Sequence, residues 1–153
     1  MQVRDLMTPN IVTANPNESV ADIARAMAER HIGAVVLTEG EDKIIGIFTD
    51  RDFLRVAAKG LDPNATPARD HMTPGVESVT PRDDVSDAAH KMVEGKFRHL
   101  PVCEKGIPIG MISMRDLLTW AAKEMFSAEE LGQIERGQEI ISVALEGNNE
   151  PRT

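Results

Sequence analysis

Two short stretches of this 153-residue chain carry residue types able to do chemistry, and they repeat one another. Thr49-x-x-Asp52 encloses Arg51, and Ser113-x-x-Asp116 encloses Arg115. Each places a hydroxyl, a guanidinium and a carboxylate where a glycine-led apolar stretch (Gly46-Ile47-Phe48; Gly110-Met111-Ile112) gives way to an amphipathic run ending in Ala-Ala-Lys. Such a corner can hold a sugar phosphate, because a carboxylate at a helix start can accept both vicinal ribose hydroxyls while the free amides and the hydroxyl meet phosphate. It can equally be helix punctuation, with the hydroxyl capping an amide and the acid favoured in the first turn. Arg51 and Arg115 oppose the helix dipole at that position. Two locally unfavourable cations suggest an anionic partner, although a salt bridge from Arg51 to Asp50 accounts for one of them as well.

Further candidates stand outside the corners. Arg98 and His99 precede the apolar stretch Leu100 to Cys103, with Lys96 a weaker candidate of the same kind; an exposed arginine is also the ordinary state of that residue. Thr13 and Thr80 lie in extended segments, where threonine is also simply a good strand residue. His31, His71 and His90 are scattered and read as surface or capping residues. Cys103 is the single cysteine and reads as a small core residue rather than a nucleophile. No nucleophile-base-orienter set, P-loop or zinc-ligand spacing is present, so no enzyme, no catalytic cofactor and no metal site is expected.

The elements that must position these residues come as a duplication. Arg4-Asp5-Leu6-Met7-Thr8-Pro9 aligns with Arg69-Asp70-His71-Met72-Thr73-Pro74 at an offset of 65, which later falls to 64 where the loop Gly40 to Lys43 loses one residue in the second copy. Each copy predicts a short extended segment (Asn10 to Ala14; Gly75 to Thr80), a proline-marked turn and a helix. The apolar stripes are Val20, Ile23, Ala24, Met27 and Val85, Ala88, Ala89, Met92. Ser19-x-x-Asp22 and Asp84-x-x-Asp87 supply N-caps. Two strands follow in each copy, Ala34 to Leu37 with Ile44 to Phe48 and Leu100 to Cys103 with Ile107 to Ile112, then a closing helix. The first repeat spans 1–60, a Pro/Asn-rich linker 61–67, the second repeat 68–125, and the tail 126–153. Repeats this small bury too little surface to be stable alone and must pack on each other. In the tail, Ser127-Ala128-Glu129-Glu130 has capping-box spacing. A helix with a Leu131, Ile134, Ile141, Leu145 stripe follows, then disorder from Glu146 to Thr153.

Composition narrows the function. The chain is 41% hydrophobic with a formal charge of −8, which argues against a nucleic-acid surface. Residues 124 to 153 hold seven Glu against two Arg, leaving 18 acidic and 15 basic residues before them. A near-neutral body can contain a local cationic pocket for an anionic small molecule. The longest apolar runs are too short to span a bilayer and no signal peptide opens the sequence, so no membrane association and a cytoplasmic location are expected.

The order and duplication of Met-Thr-Pro, the proline-turn-helix, Arg98-His99-Leu100-Pro101-Val102 and the Gly-led corner resemble the cystathionine-β-synthase (CBS) domain, in the tandem arrangement called a Bateman module, over residues 3 to 123. The resemblance implies an α+β fold: two CBS repeats, each strand-helix-strand-strand-helix with a small sheet and two helices, packed as a pseudo-two-fold module with two clefts, plus the C-terminal helix. It also implies a regulatory adenine-nucleotide sensor binding AMP, ADP or ATP between the repeats. Alternatives are a sensor of S-adenosylmethionine or NAD, or an assembly module without ligand. By the same resemblance Asp52 and Asp116 hold ribose, Thr49 and Ser113 contact ribose or phosphate, Arg98 and His99 line the phosphate side, and the backbone near Thr13 and Thr80 meets adenine. Arg98 and His99 correspond by offset to Gly33 and Ala34. The cleft gathering Asp116, Ser113, Arg98 and His99 is therefore expected to bind better than that of Asp52 and Thr49. The apolar residues of the closing helices predict a homodimer, and an unidentified regulated protein completes the expected partners.

Overall fold

In a computed structural model of the chain, residues 1–126, 129–130, 132–133 and 135–137 are described. The first copy folds as β1 (Thr8–Pro9), β2 (Thr13–Ala14), α1 (Val20–Arg30), β3 (Ala34–Glu39), β4 (Lys43–Thr49) and α2 (Asp50–Ala58). The second gives β5 (Thr73–Pro74), α3 (Val85–Gly95), β6 (His99–Glu104), β7 (Ile107–Ser113) and α4 (Met114–Met125). Helix α1 starts where Ser19 Oγ accepts the Asp22 N–H at 3.1 Å, and it ends where His31 turns left-handed, at φ 53°. Helix α3 ends the same way at Lys96, φ 55°. Its start differs from expectation. Asp84 makes no side-chain cap, and its carboxylate lies 3.9 Å from the N-terminal amine instead.

The two sheets are built by exchange. One has the order β2-β3-β4-β5 and the other β1-β7-β6. The Met-Thr-Pro strand of each copy is thus an edge of the other copy's sheet: Thr73 and Pro74 pair with Ile47 and Gly46, while Thr8 and Pro9 pair with Met111 and Gly110. Gly46 and Gly110 allow this crossing. A Cβ on Gly46 would press on Met72 Sδ and lie 3.0 Å from the Thr73 carbonyl oxygen, and one on Gly110 would lie 2.8 Å from that of Thr8. Strand β2 pairs in parallel with β3 (Thr13 opposite Val36), and its counterpart shrinks to a single bridge between Val79 and Val102. The segments ahead of the exchanged edges cross over too. Ala68 and Arg69 donate backbone bonds to Glu18 and Pro16 at 2.9 Å, and Val3 and Arg4 donate to Asp83 and Pro81 at 2.9 and 3.0 Å.

One core cluster joins the buried faces of α1 (Val20, Ile23, Met27), β3 (Val35, Leu37), β4 (Phe48) and α2 (Val56) with Ala68 from beyond the linker. In α3 the positions Val85, Ala88 and Met92 are buried, and Cys103 is buried as expected. Met1–Asp116 forms one compact unit and the chain from Leu117 a second. In the second unit, residues 129–130, 132–133 and 135–137 are helical. Ser127, Ala128, Leu131, Ile134, Ile141, Leu145 and the segment from Glu146 to Thr153 lie outside the described residues.

Candidate functional site

Both corners close as capping boxes. The Thr49 N–H and Oγ1–H donate to Asp52 Oδ2 at 2.9 and 3.1 Å, while Arg55 Nη1 donates to Asp52 Oδ1 at 3.1 Å. Asp52 is only 2% exposed, so this carboxylate is held on both oxygens. At the second corner the Ser113 N–H and Oγ–H donate to Asp116 Oδ2 at 2.7 and 2.8 Å, and the Asp116 N–H donates back to Ser113 Oγ at 3.2 Å. Asp116 is half-buried, and all of its carboxylate hydrogen bonds fall on Oδ2. Helix punctuation is therefore present twice, and among the described residues Asp116 Oδ1 accepts no hydrogen bond.

Each corner faces residues of the other copy across a cleft. The first cleft, of about 390 Å³, joins Thr49, Arg51, Asp52 and Arg55 with Lys96, Phe97, Arg98 and His99, and is bounded by Thr73 and Gly75 to Glu77. The second, of about 520 Å³, joins Ser113 to Asp116 with His31 to Ala34 and Thr8 to Val12, and also reaches Asp50, Arg98 and His99. Arg98 and His99 thus belong to both clefts. The expectation assigned this pair to the Asp116 cleft alone; the pair stands just ahead of β6 where the two copies meet, and so fronts each corner. Arg98 Nη2 donates to Asp50 Oδ1 across the copies at 3.0 Å. The His99 ring lies over Gly33, where a Cβ would come within 3.3 Å of Nε2. Burial holds the His99 imidazole below its ordinary pKa, the Arg98 charge adds to this, and Asp50 and Asp116 oppose it.

Charge separates the clefts. Arg51, Arg55, Lys96 and Arg98 face Asp52 and Glu77 in the first, whereas Arg98 and Arg115 face Asp50 and Asp116 in the second. Among the described residues neither Arg51 nor Arg115 forms an ion pair, and the Asp50 carboxylate accepts the Arg51 backbone N–H at 2.9 Å rather than its guanidinium. Thr13 and Thr80 line neither cleft. Thr13 is in the β2–β3 ladder, and Thr80 donates its N–H and Oγ1–H to Asp83 at 2.8 and 2.7 Å, holding that carboxyl below its ordinary pKa. The cleft walls are instead the backbone stretches a few residues earlier.

Several lining residues escaped the sequence reading, among them Arg55, Asp50 and His31. Arg55 was visible only as part of an amphipathic run, though its place one turn after Asp52 puts it on the same helix face. Asp50 was weighed only as a neighbour of Arg51. His31 was set aside as a capping residue, which it is, and the left-handed turn that makes it one also brings it to the second cleft. Among the described residues no group of three or more His, Cys, Asp or Glu is placed to hold a metal, and no helix is long and apolar enough to cross a membrane.

Comparison with known proteins bears on this geometry directly. The CBS domain family matches the chain twice, over residues 3–59 and 68–123. The chain belongs to the CBS domain family. A CBS domain-containing protein of Arabidopsis thaliana is 39% identical over 131 residues, covering 85% of this chain but 24% of that protein, so the chain spans about a quarter of that relative's length. A crystal structure of a CBS-domain containing protein from Agrobacterium tumefaciens matches at TM-score 0.74 and 31% identity, covering 79% of this chain and 99% of the other. A CBS domain protein from Pyrobaculum aerophilum, complexed with AMP, matches at TM-score 0.72 and 25% identity, covering 89% and 99%. In this CBS pair the duplicated corner and the exchanged edges are one construction: each cleft takes its helix start from one repeat and its opposite wall from the other.

Proposed function

We propose that this CBS pair is a non-catalytic regulatory module that binds an adenine nucleotide, with the first cleft as its principal site. The observation that supports this reading is the meeting, around Asp52, of a helix-start hydroxyl and carboxylate from one repeat with Lys96, Arg98 and His99 from the other. A phosphate leaving water must recover its hydration, and charge-assisted bonds from arginine do this better than neutral groups. Arg51 is free to turn to it. Arg55, with 66% of its side chain exposed, can swing from Asp52 to the phosphate and leave Asp52 Oδ1 for a ribose hydroxyl. Ile47, Val76 and Phe97 give the same cleft an apolar surface for a base. The structural relative complexed with AMP agrees with this ligand class.

The module would transmit binding by tightening the two repeats onto each other and so changing what its surface engages. Leu54 and Leu118, 67% and 64% exposed, are the apolar residues we assign to a two-fold homodimer interface. The repeats themselves are read as 1–60 and 68–125, joined by 61–67 and followed by the tail 126–153. A thermal-shift panel of AMP, ADP, ATP, S-adenosylmethionine and NAD tests the function. Ligand at about 100 times its dissociation constant adds roughly 2.7 kcal/mol, a rise on the order of 5 to 10 °C. Turnover of any compound would make the protein an enzyme, and silence across the panel would leave an assembly module.

A further inference from the structure

We infer that binding of a phosphate in the first cleft is linked to proton uptake by His99, whose imidazolium replaces Arg98 as the counterion of Asp50; this rests on the nucleotide reading above and adds a pH-weighted response to it. The geometry that carries the inference lies over Gly33. A Cβ there would meet His99 Nε2 at 3.3 Å and Asp50 Oδ2 at 3.7 Å, so the imidazole of one repeat and the carboxylate of the other border a single gap that the glycine leaves open. Only one Asp50 oxygen is engaged: Oδ1 accepts Arg98 Nη2 at 3.0 Å and the Arg51 N–H at 2.9 Å. Among the described residues Asp50 Oδ2 accepts no hydrogen bond, and neither ring nitrogen of His99 has a partner. Asp50 keeps 56% of its side chain exposed, which leaves it free to rotate toward the ring and accept from an Nε2–H.

In the unliganded protein burial and the Arg98 and Arg115 charges favour the neutral ring, against Asp50 and Asp116. A half-exposed ion pair such as Arg98–Asp50 is weakly held, whereas a phosphate dianion offers the same guanidinium two bonds and twice the charge. Arg98 lines the first cleft, where that phosphate would sit. Once Arg98 turns to it, the guanidinium charge no longer opposes protonation of His99, and the Asp50 carboxylate, left without its partner, favours it. The other cations of that cleft, Arg51, Arg55 and Lys96, are compensated by the phosphate they meet, while Asp52 and Glu77 keep their charge. Arg115 and Asp116 act on the ring as before, and His31, the other imidazole at the second cleft, is remote from the phosphate side. Every change therefore raises the His99 pKa on binding. The complex holds more protons than its separate parts, so affinity rises as pH falls. Charge stays balanced, because Asp50 exchanges a guanidinium for an imidazolium whose proton comes from solvent.

Proton NMR of the four histidine rings of the full chain, titrated between pH 7.5 and 5.5 without AMP and with saturating AMP, tests this, and His99→Gln identifies its resonance by loss. The His99 midpoint should move up on AMP binding, while those of His71 and His90, which line neither cleft, stay in place. Isothermal titration at pH 7.5 and 6.5 should show AMP binding about three- to tenfold tighter at the lower pH, about tenfold being the limit for one linked proton. The second ionisation of AMP, near pH ~6, works weakly in the opposite sense and is common to all variants. His99→Gln should lose the gain at the lower pH, and Asp50→Asn, which removes the charge that the ring comes to balance, should lose most of it. An unmoved His99 midpoint, or a gain equally large in His99→Gln or in Asp50→Asn, would overturn the inference while leaving nucleotide binding intact. Absence of any AMP binding would remove the functional reading itself and this inference with it.

Discussion

Replacing Asp52 with alanine separates the two roles that its corner combines. In the unliganded protein this carboxylate is 2% exposed and accepts bonds from the Thr49 amide, the Thr49 hydroxyl and Arg55. Leaving the part-buried Thr49 N–H without its acceptor costs about 1 to 3 kcal/mol, and the exposed Arg55 adds little. That corresponds to a fall of about 4 to 12 °C at about 4 °C per kcal/mol. Asp116→Ala should cost only about half as much, because Asp116 is half-buried where Asp52 is buried, so water can replace it as acceptor for the Ser113 N–H. Asp52→Asn keeps a neutral acceptor for the Thr49 amide and should recover part of the loss. Calorimetric melting of the four proteins without ligand gives this ranking, and repeating it with AMP gives the ligand-dependent rise separately. An Asp52→Ala protein melting within about 2 °C of the unaltered chain, against an expected fall of about 4 to 12 °C, would show that the carboxylate does not hold the corner.

Other outcomes can be checked with the same instruments. Gly46→Ala and Gly110→Ala press a Cβ onto the exchanged edge strand and should each cost about 1 to 3 kcal/mol in urea unfolding; a neutral Gly110→Ala would contradict the close approach to Thr8. Residues 1–64 and 65–153 expressed separately should show no cooperative melting, since each lacks the edge strand that the other supplies. For His99 the folded pKa lies below the unfolded value of about 6.5, so below that pH the unfolded chain binds more protons and stability declines as pH falls. Urea midpoints between pH 7.5 and 5.5 should show this decline in the unaltered chain, and His99→Gln should reduce it.

The repeat was legible because its signals are local. Proline turns, helical apolar stripes and glycine-led strands placed the four long helices and the four long strands close to where they form, and α1 begins at the expected Ser19 cap. The short extended segments were overestimated: Asn10 to Ala14 keeps only Thr13–Ala14 as strand, and Gly75 to Thr80 keeps a single bridge. Their pairing depends on how far the neighbouring strand extends, which no local signal carries. The exchange of the Met-Thr-Pro edges was not read either, although Met7-Thr8-Pro9 and Met72-Thr73-Pro74 were the clearest repeated motif. A sequence motif shows that an edge recurs but not which sheet it joins. The candidate residues of the corners were legible for the same reason as the helices. Their partners across the clefts, Lys96 for Asp52 and His31 for Asp116, depend on how one repeat is set against the other.

That setting also explains how a duplicated chain obtains unequal clefts. Position 33 in the first repeat and position 98 in the second are equivalents: the Gly33 carbonyl accepts the Asp50 N–H at 3.1 Å, as the Arg98 carbonyl accepts that of Met114 at 2.8 Å. Near a two-fold axis, equivalent positions approach each other, and two bulky residues cannot share the space. Here the first repeat supplies a glycine, and the second fills the space above it with the His99 ring. Smallness at Gly33 is therefore complementary to the His99 ring, and a side chain at position 33 would press on that ring. Because the occupied side of this pair fronts both clefts, a single arginine lines both at once and is bonded to Asp50 on the side of the second. Inequality between the clefts then follows from what surrounds that shared cation, Lys96 and Arg55 on one side and Asp50 on the other, and from the corners themselves, where Asp52 accepts bonds on both oxygens and Asp116 on Oδ2.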